Sequence, residues 1–180
     1  MPSLNLPPIE SLDVEDLLTL PEGYRYELHE GNLVIMAPSS FWHKFVVRRL
    51  FLMLHTAGLD VFQDPGVLGD RPRDCRLPDL GVIAGALPPG KQGYSNLPGS
   101  AYRLVVEVVS ENSVNGEYAD KTDWYAKRGI PEYWIVDQTL DRDEDDGHVR
   151  ILRLEPGKSS YAWERSLLLS ELEAEYRANR

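Results

Sequence analysis

The segment Tyr102–Ser113, YRLVVEVVSENS, sets one carboxylate inside an apolar run. Val105, Val106, Val108 and Val109 surround Glu107. β-Branched residues favour a strand, and apolar residues at both parities predict a strand covered on both faces. Period-two alternation places Val105, Glu107 and Val109 on one of those faces. An unpaired charge there is costly, so Glu107 needs an arginine or a metal ion, unless the strand ends and lets it reach water. Ser110-Glu111-Asn112 follows at once, so a strand end is near.

Working outward, LPDLGVIAG from Leu77 predicts a neighbouring strand starting near Asp79, and EYWIVD from Glu132 predicts another. Between the two central strands a helix is expected from about Gly116 to Arg128, closed by Gly129 with Pro131 just beyond. A helix joining two apolar strands predicts a crossover within a mixed sheet. Upstream, Ser39 or Ser40 caps a long helix to about Ala57. Its inward stripe is His43, Val46, Val47, Leu50, Met53, Leu54 and Ala57. YRYELHEGNLVIMAP reads as a hairpin turning near Gly31, preceded by a short helix from Ser11 or Asp13 to Leu20. LDVFQDPGVLGD predicts a strand turning at Pro65-Gly66. HVRILRLEP and YAWERS are expected as terminal strands, followed by a short polar helix. The reading is one α/β domain over residues 11–180 with a loose tail at 1–10.

The chain has 180 residues, 42% of them hydrophobic and 27% charged, as in ordinary globular proteins. No apolar run is long enough to span a membrane. The N-terminus lacks a basic start and an apolar stretch, so no signal peptide is expected and a cytoplasmic address is the default. Cys75 stands alone, which excludes an internal disulfide and a cysteine-built zinc site. A net charge of −10 argues against a broad nucleic-acid surface but permits a local basic patch. Arg71, Arg73 and Arg76 form one such cluster, and Lys121, Lys127 and Arg128 another. The acidic run Asp141–Gly147 fails the calcium-loop test: its sixth position is Asp146 and its twelfth Leu152. It is expected as a solvated turn.

Five residues could carry chemistry. Glu107 and Asp79 sit at the ends of strands expected to be neighbours, and such a pair can share a divalent ion through oxygen ligands. Lys121 falls on the flank of its helix's inward face, as a snorkelling lysine also would. Glu27 shares strand parity with Arg25, so a solvated position is the plainer expectation for it. His43 lies on a helix stripe that more often holds a hydrogen-bonded core histidine.

The order of Pro78-Asp79, then Val106-Glu107-Val108, resembles the PD-(D/E)XK nuclease superfamily. More narrowly, YEL-x-x-G-x-L, PD, VEV-x-S and GIPEYWIVD, in this order between about Leu12 and Leu154, resemble the Uma-type family of restriction-endonuclease-like proteins. The resemblance implies a helix–strand–strand–strand–helix–strand core, with Asp79 and Glu107 as metal ligands. The superfamily's lysine would fall at Val109. The resemblance implies that it has moved to Lys121 on the next helix, with Glu27 beside the site and His43 hydrogen-bonding a ligand carboxylate. It implies a Mg²⁺-dependent endonuclease acting on DNA, with Mn²⁺ able to replace Mg²⁺. The chain departs from the family at Glu111-Asn112-Ser113 and at Glu117. Two other readings stay open: an inactive nuclease-like module that binds nucleic acid or a protein, and a metal hydrolase of small phosphorylated substrates. Phe41, Phe45 and Leu52, on another side of the long helix, suggest a homodimer face.

Overall fold

The computed structural model describes residues 6, 8–87, 96–109, 118–141 and 145–179. Among the described residues, eleven strands lie in two sheets. The first pairs β1 (Tyr26–His29) and β2 (Asn32–Ile35) with β5 (Cys75–Arg76), β4 (Gly66–Leu68) and β7 (Asn96–Pro98), in the order β2-β1-β5-β4-β7. The second contains β3 (Val61–Gln63), β6 (Leu80–Ile83), β8 (Tyr102–Val108), β9 (Glu132–Asp137), β10 (His148–Leu154) and β11 (Tyr161–Leu168). Its order is β11-β10-β9-β8-β6-β3.

The central strand β8 pairs antiparallel with β6 and parallel with β9. The parallel pair is joined by α2 (Asp120–Lys127), the expected crossover. α2 starts later than Gly116; the expectation for 110–117 lies outside the described residues. α1 (Phe41–Thr56) begins at Ser40, whose hydroxyl accepts the His43 amide. Its buried stripe, Val46, Leu50 and Leu54, packs on Leu104, Val106 and Val108 of β8. Val105 and Val109 face the other way, into a layer with Trp124, Tyr125, Tyr133 and Ile135. Glu107 therefore belongs to the α2 side of the sheet. The slot that a related nuclease would fill with lysine is Val109, buried in that layer.

Three expectations need correction. The N-terminal helix is two short 3₁₀ turns, Ile9–Ser11 and Asp16–Thr19. The Asp13 carboxylate caps the second turn by accepting the amides of Glu15 and Asp16, and the segment then closes through i, i+3 bonds, Leu18 N to Glu15 O and Leu20 N to Leu17 O. Leu12, Val14, Leu17 and Leu20 then pack under the hairpin with Leu28 and Cys75. Second, the expected mixed sheet with its crossover is present and is joined by another sheet that the sequence reading did not separate. The chain leaves β3 and enters β4 through Asp64, whose φ of 51° is left-handed, so Pro65-Gly66 marks a change of sheet. Third, the acidic turn is not wholly solvated. Asp146 is buried and accepts the amides of Gly147 and Ser170 and the Ser170 hydroxyl, which ties it to α3 (Leu169–Ala178). Residues 142–144 of that turn lie outside the described set.

No helix among the described residues is long and apolar enough to cross a membrane. Phe41 and Leu52 are exposed, while Phe45 is half-buried under Arg48 and Arg49.

Cys75 is fully buried, and that burial pushes its thiol up to about 12. Since only the thiolate is nucleophilic, a thiol reagent at pH 8 is expected to leave Cys75 unmodified in the folded chain and to react at once after urea is added. Stoichiometric labelling without denaturant would contradict this packing.

Candidate active site

β6 and β8 fix the first two groups. Leu80 pairs with Val106, so the antiparallel register continues to Asp79 beside Glu107. Asp79 closes the start of β6 by accepting the Val108 amide on Oδ2 at 2.8 Å. His43 Nε2 lies 3.1 Å from the same oxygen, and Arg25 NH1 lies 3.5 Å from Oδ1. Burial pushes the Asp79 carboxyl up, but the His43 contact, the Val108 amide and Arg25 outweigh it and hold the pKa below its usual range.

Glu107 is 4% exposed and has a different set of partners. Its Oε1 accepts from Lys121 Nζ at 2.8 Å and from the Tyr125 hydroxyl at 2.7 Å. Lys121 and Tyr125 are four residues apart on α2, one turn, so both reach the same oxygen. Burial raises the Glu107 pKa, helped by the charges of Asp79 and Glu27, and Lys121 only partly opposes it. The Tyr125 hydroxyl is raised by burial and by Glu107.

Glu27 comes from β1, in the other sheet, and is fully buried. Its Oε1 accepts the Leu77 amide at 2.8 Å and lies 3.5 Å from Lys121 Nζ; its Oε2 lies 2.6 Å from His29 Nε2. Burial would raise this carboxyl, but Lys121, His29 and the Leu77 amide more than offset it and lower the pKa. Lys121 is 1% exposed and joins the two carboxylates across the gap between the sheets.

All five candidates are thus brought into two touching groups, Asp79–His43 and Glu107–Lys121–Glu27. Glu27 is not the solvated residue its parity with Arg25 suggested. Arg25 itself is drawn in, with NH2 2.6 Å from Asp64 Oδ1. Burial raises the Asp64 carboxyl against the pull of Arg25. Sequence reasoning missed Arg25, Asp64, His29 and Tyr125 as members of the site. The i, i+4 spacing of Lys121 and Tyr125 was the readable signal for one of them. Nothing in the local sequence marks Asp64, whose place depends on the change of sheet.

The donor chemistry suits a hard cation. Asp79 and Glu107 offer carboxylate oxygens, and magnesium is commonly held by one or two carboxylates with water and substrate phosphate completing its shell. Among the described residues no group of three or more His, Cys, Asp or Glu side chains is gathered as a complete metal centre. A two-carboxylate site at Asp79 and Glu107 is compatible with the register.

The six-stranded mixed sheet, with α1 on one face and the α2 crossover on the other, is a restriction-endonuclease-like core. The chain belongs to the Uma2 family, described as "Putative restriction endonuclease", whose profile matches residues 14–175. A crystal structure of similar fold is that of a "putative nuclease belonging to DUF820" from Anabaena variabilis ATCC 29413. It superposes with a TM-score of 0.63 at 15% identity, covering 87% of this chain and 83% of that one. No curated protein matches the chain in sequence.

Proposed function

We propose that this chain is a Mg²⁺- or Mn²⁺-dependent endonuclease that hydrolyses DNA phosphodiester bonds. The observation that carries the reading is Lys121 Nζ, delivered from the crossover helix to 2.8 Å from Glu107, with Asp79 next to Glu107 in the strand register. Asp79 and Glu107 would hold the ion, which when bound supplies Lewis-acid polarisation of the phosphate and a more acidic water. The remaining roles belong to the chain. Lys121 places a positive charge where negative charge develops on the phosphate, and it can orient the attacking water. Glu27, fixed by His29 and the Leu77 amide, holds the ammonium from the opposite sheet. His43 and the Val108 amide set the direction of Asp79. Plasmid incubated with purified protein and Mg²⁺ or Mn²⁺ should be nicked or linearised. Intact plasmid, or cleavage unchanged in Glu107→Ala, would sink the reading.

Tyr125→Phe keeps the ring between Trp124 and Tyr133 but removes the hydroxyl from Glu107. Loss of such an orienting bond is expected to weaken Mn²⁺ affinity or activity about 10- to 100-fold, with the fold intact by circular dichroism. Titration calorimetry with Mn²⁺ checks it independently of turnover.

One observation favours a second reading, a nuclease-like module that binds without cutting. Glu27, Lys121 and Glu107 are 0, 1 and 4% exposed and satisfy one another, as a purely structural ion-pair cluster would. Such a module would show no Mn²⁺ affinity dependent on Asp79 and Glu107.

A further inference from the structure

Beyond the carboxylate cluster, α2 and the loop before β5 enclose an open cavity of about 550 Å³. Its floor is a stack. The Arg76 guanidinium lies 4.9 Å and the Arg128 guanidinium 4.2 Å from the centre of the Trp124 ring. Asp74 ties the stack together. It accepts Arg76 NH1 at 2.9 Å on Oδ1, and Trp124 Nε1 at 2.8 Å and Arg128 NH2 at 3.0 Å on Oδ2. The floor is built to close tolerance. A Cβ on Gly69 would come within 2.2 Å of Asp74 Oδ2, and one on Gly99 within 2.5 Å of the Arg128 carbonyl oxygen.

The floor sets two cations, the buried Arg76 and the half-buried Arg128, against one buried anion, and the acceptors of that anion are already taken. Donors are left over. Every described hydrogen bond of Arg76 runs from NH1, and Arg128 Nε is buried with no acceptor among the described residues. Paired guanidinium forks with unused N–H groups match the oxygens of a phosphate. A carboxylate already reaches for this charge. Asp70, whose side chain is 81% exposed, extends to 3.5 Å from Arg128 NH2. The remaining acids at the mouth, Glu30, Asp120 and Asp123, are exposed, where solvent and salt screen them.

The cavity also adjoins the catalytic cluster. His29 lines it and lies 2.6 Å from Glu27. Arg128 is seven residues beyond Lys121 on the same helical run, about 10 Å at 1.5 Å per residue.

We propose that the cavity floored by Arg76, Trp124 and Arg128 is a phosphate site that grips the backbone of the nucleic-acid strand beside the bond at Lys121. It rests on the nuclease reading for the identity of the strand and on the cavity itself for the phosphate.

The test uses the full chain in EDTA, with a short fluorescent DNA duplex followed by anisotropy over a range of salt. Arg128→Gln is expected to weaken binding about tenfold and to lower the salt slope by about 0.9, one phosphate contact. Asp70→Asn, at an exposed position, removes the competing carboxylate and is expected to tighten binding about two- to fivefold. It decides the matter if Arg128→Gln does not fold. Unchanged affinity and slope in Arg128→Gln, or no tightening in Asp70→Asn, overturns the proposal. If the wild-type chain binds no duplex, inorganic phosphate separates the two ideas. A phosphate-dependent shift of the arginine Nε–H resonance that Arg128→Lys lacks keeps the phosphate site while the nuclease reading falls. No shift overturns the site as well.

Discussion

Lys121→Met is expected to lower the unfolding free energy by about 3–5 kcal/mol, because it leaves two carboxylates without their cation in a dry site. Glu107 and Glu27 are both buried, and Lys121 is the cation that reaches both. Urea denaturation of both proteins in EDTA measures the loss. Adding Glu107→Gln to the variant removes one of the unpaired charges and should recover part of it. A coupling between the two positions of well over 0.5 kcal/mol is expected, as for contacting residues in one network. Additive behaviour would mean that the 2.8 Å contact carries no energy. On the proposed function the same substitution should also depress plasmid cleavage about 10²–10³-fold, as loss of a preorganised charge at the reacting group does. Activity assays at a temperature well below the variant's melting point keep the two effects apart.

The second large effect is expected at Asp74. Its carboxylate serves Arg76, Arg128 and the Trp124 indole at 3.0 Å or less. Asp74→Ala leaves two guanidinium groups close to one ring without their shared anion, and it should cost about 3–5 kcal/mol. Asp74→Asn keeps the shape and one acceptor and should cost less. A melting temperature for Asp74→Ala within the error of the wild type would show that the stack is solvated and not held together by its anion. Gly69→Ala should act in the same direction, since its Cβ would displace the carboxylate.

The strands and helices that matter most were legible because they are governed by short-range rules. The valines around Glu107 produce a two-sided strand, Ser40 caps α1, and Gly129 with Pro131 ends the crossover helix region. The stripe from Val46 to Leu54 is buried as its spacing required. What was not legible begins with the partition of the strands. Period-two alternation says which residues share a face but not which sheet a strand joins. The expected turn at Pro65-Gly66 therefore did not show that the chain passes there from one sheet to the other. In the N-terminal segment Asp13 caps as its residue type allows, but the turns that follow close as 3₁₀. The basic run Arg71–Arg76 read as a surface patch. Arg73 instead ties down the carbonyls of Leu12, Ile9 and Gly31, and Arg76 is buried in the stack.

The sequence by itself determined the central strand, its carboxylate, the crossover that follows and the absence of lysine at position 109, because each depends on neighbours within a few residues. Only the tertiary structure decided that Glu27 arrives from a second sheet to meet Lys121, that Arg25 turns inward to Asp79 and Asp64, and that Trp124 meets Arg76. Those meetings join residues about 40 to almost 100 positions apart. They are fixed by which sheet each strand enters and by the cost of burying each charge without its partner.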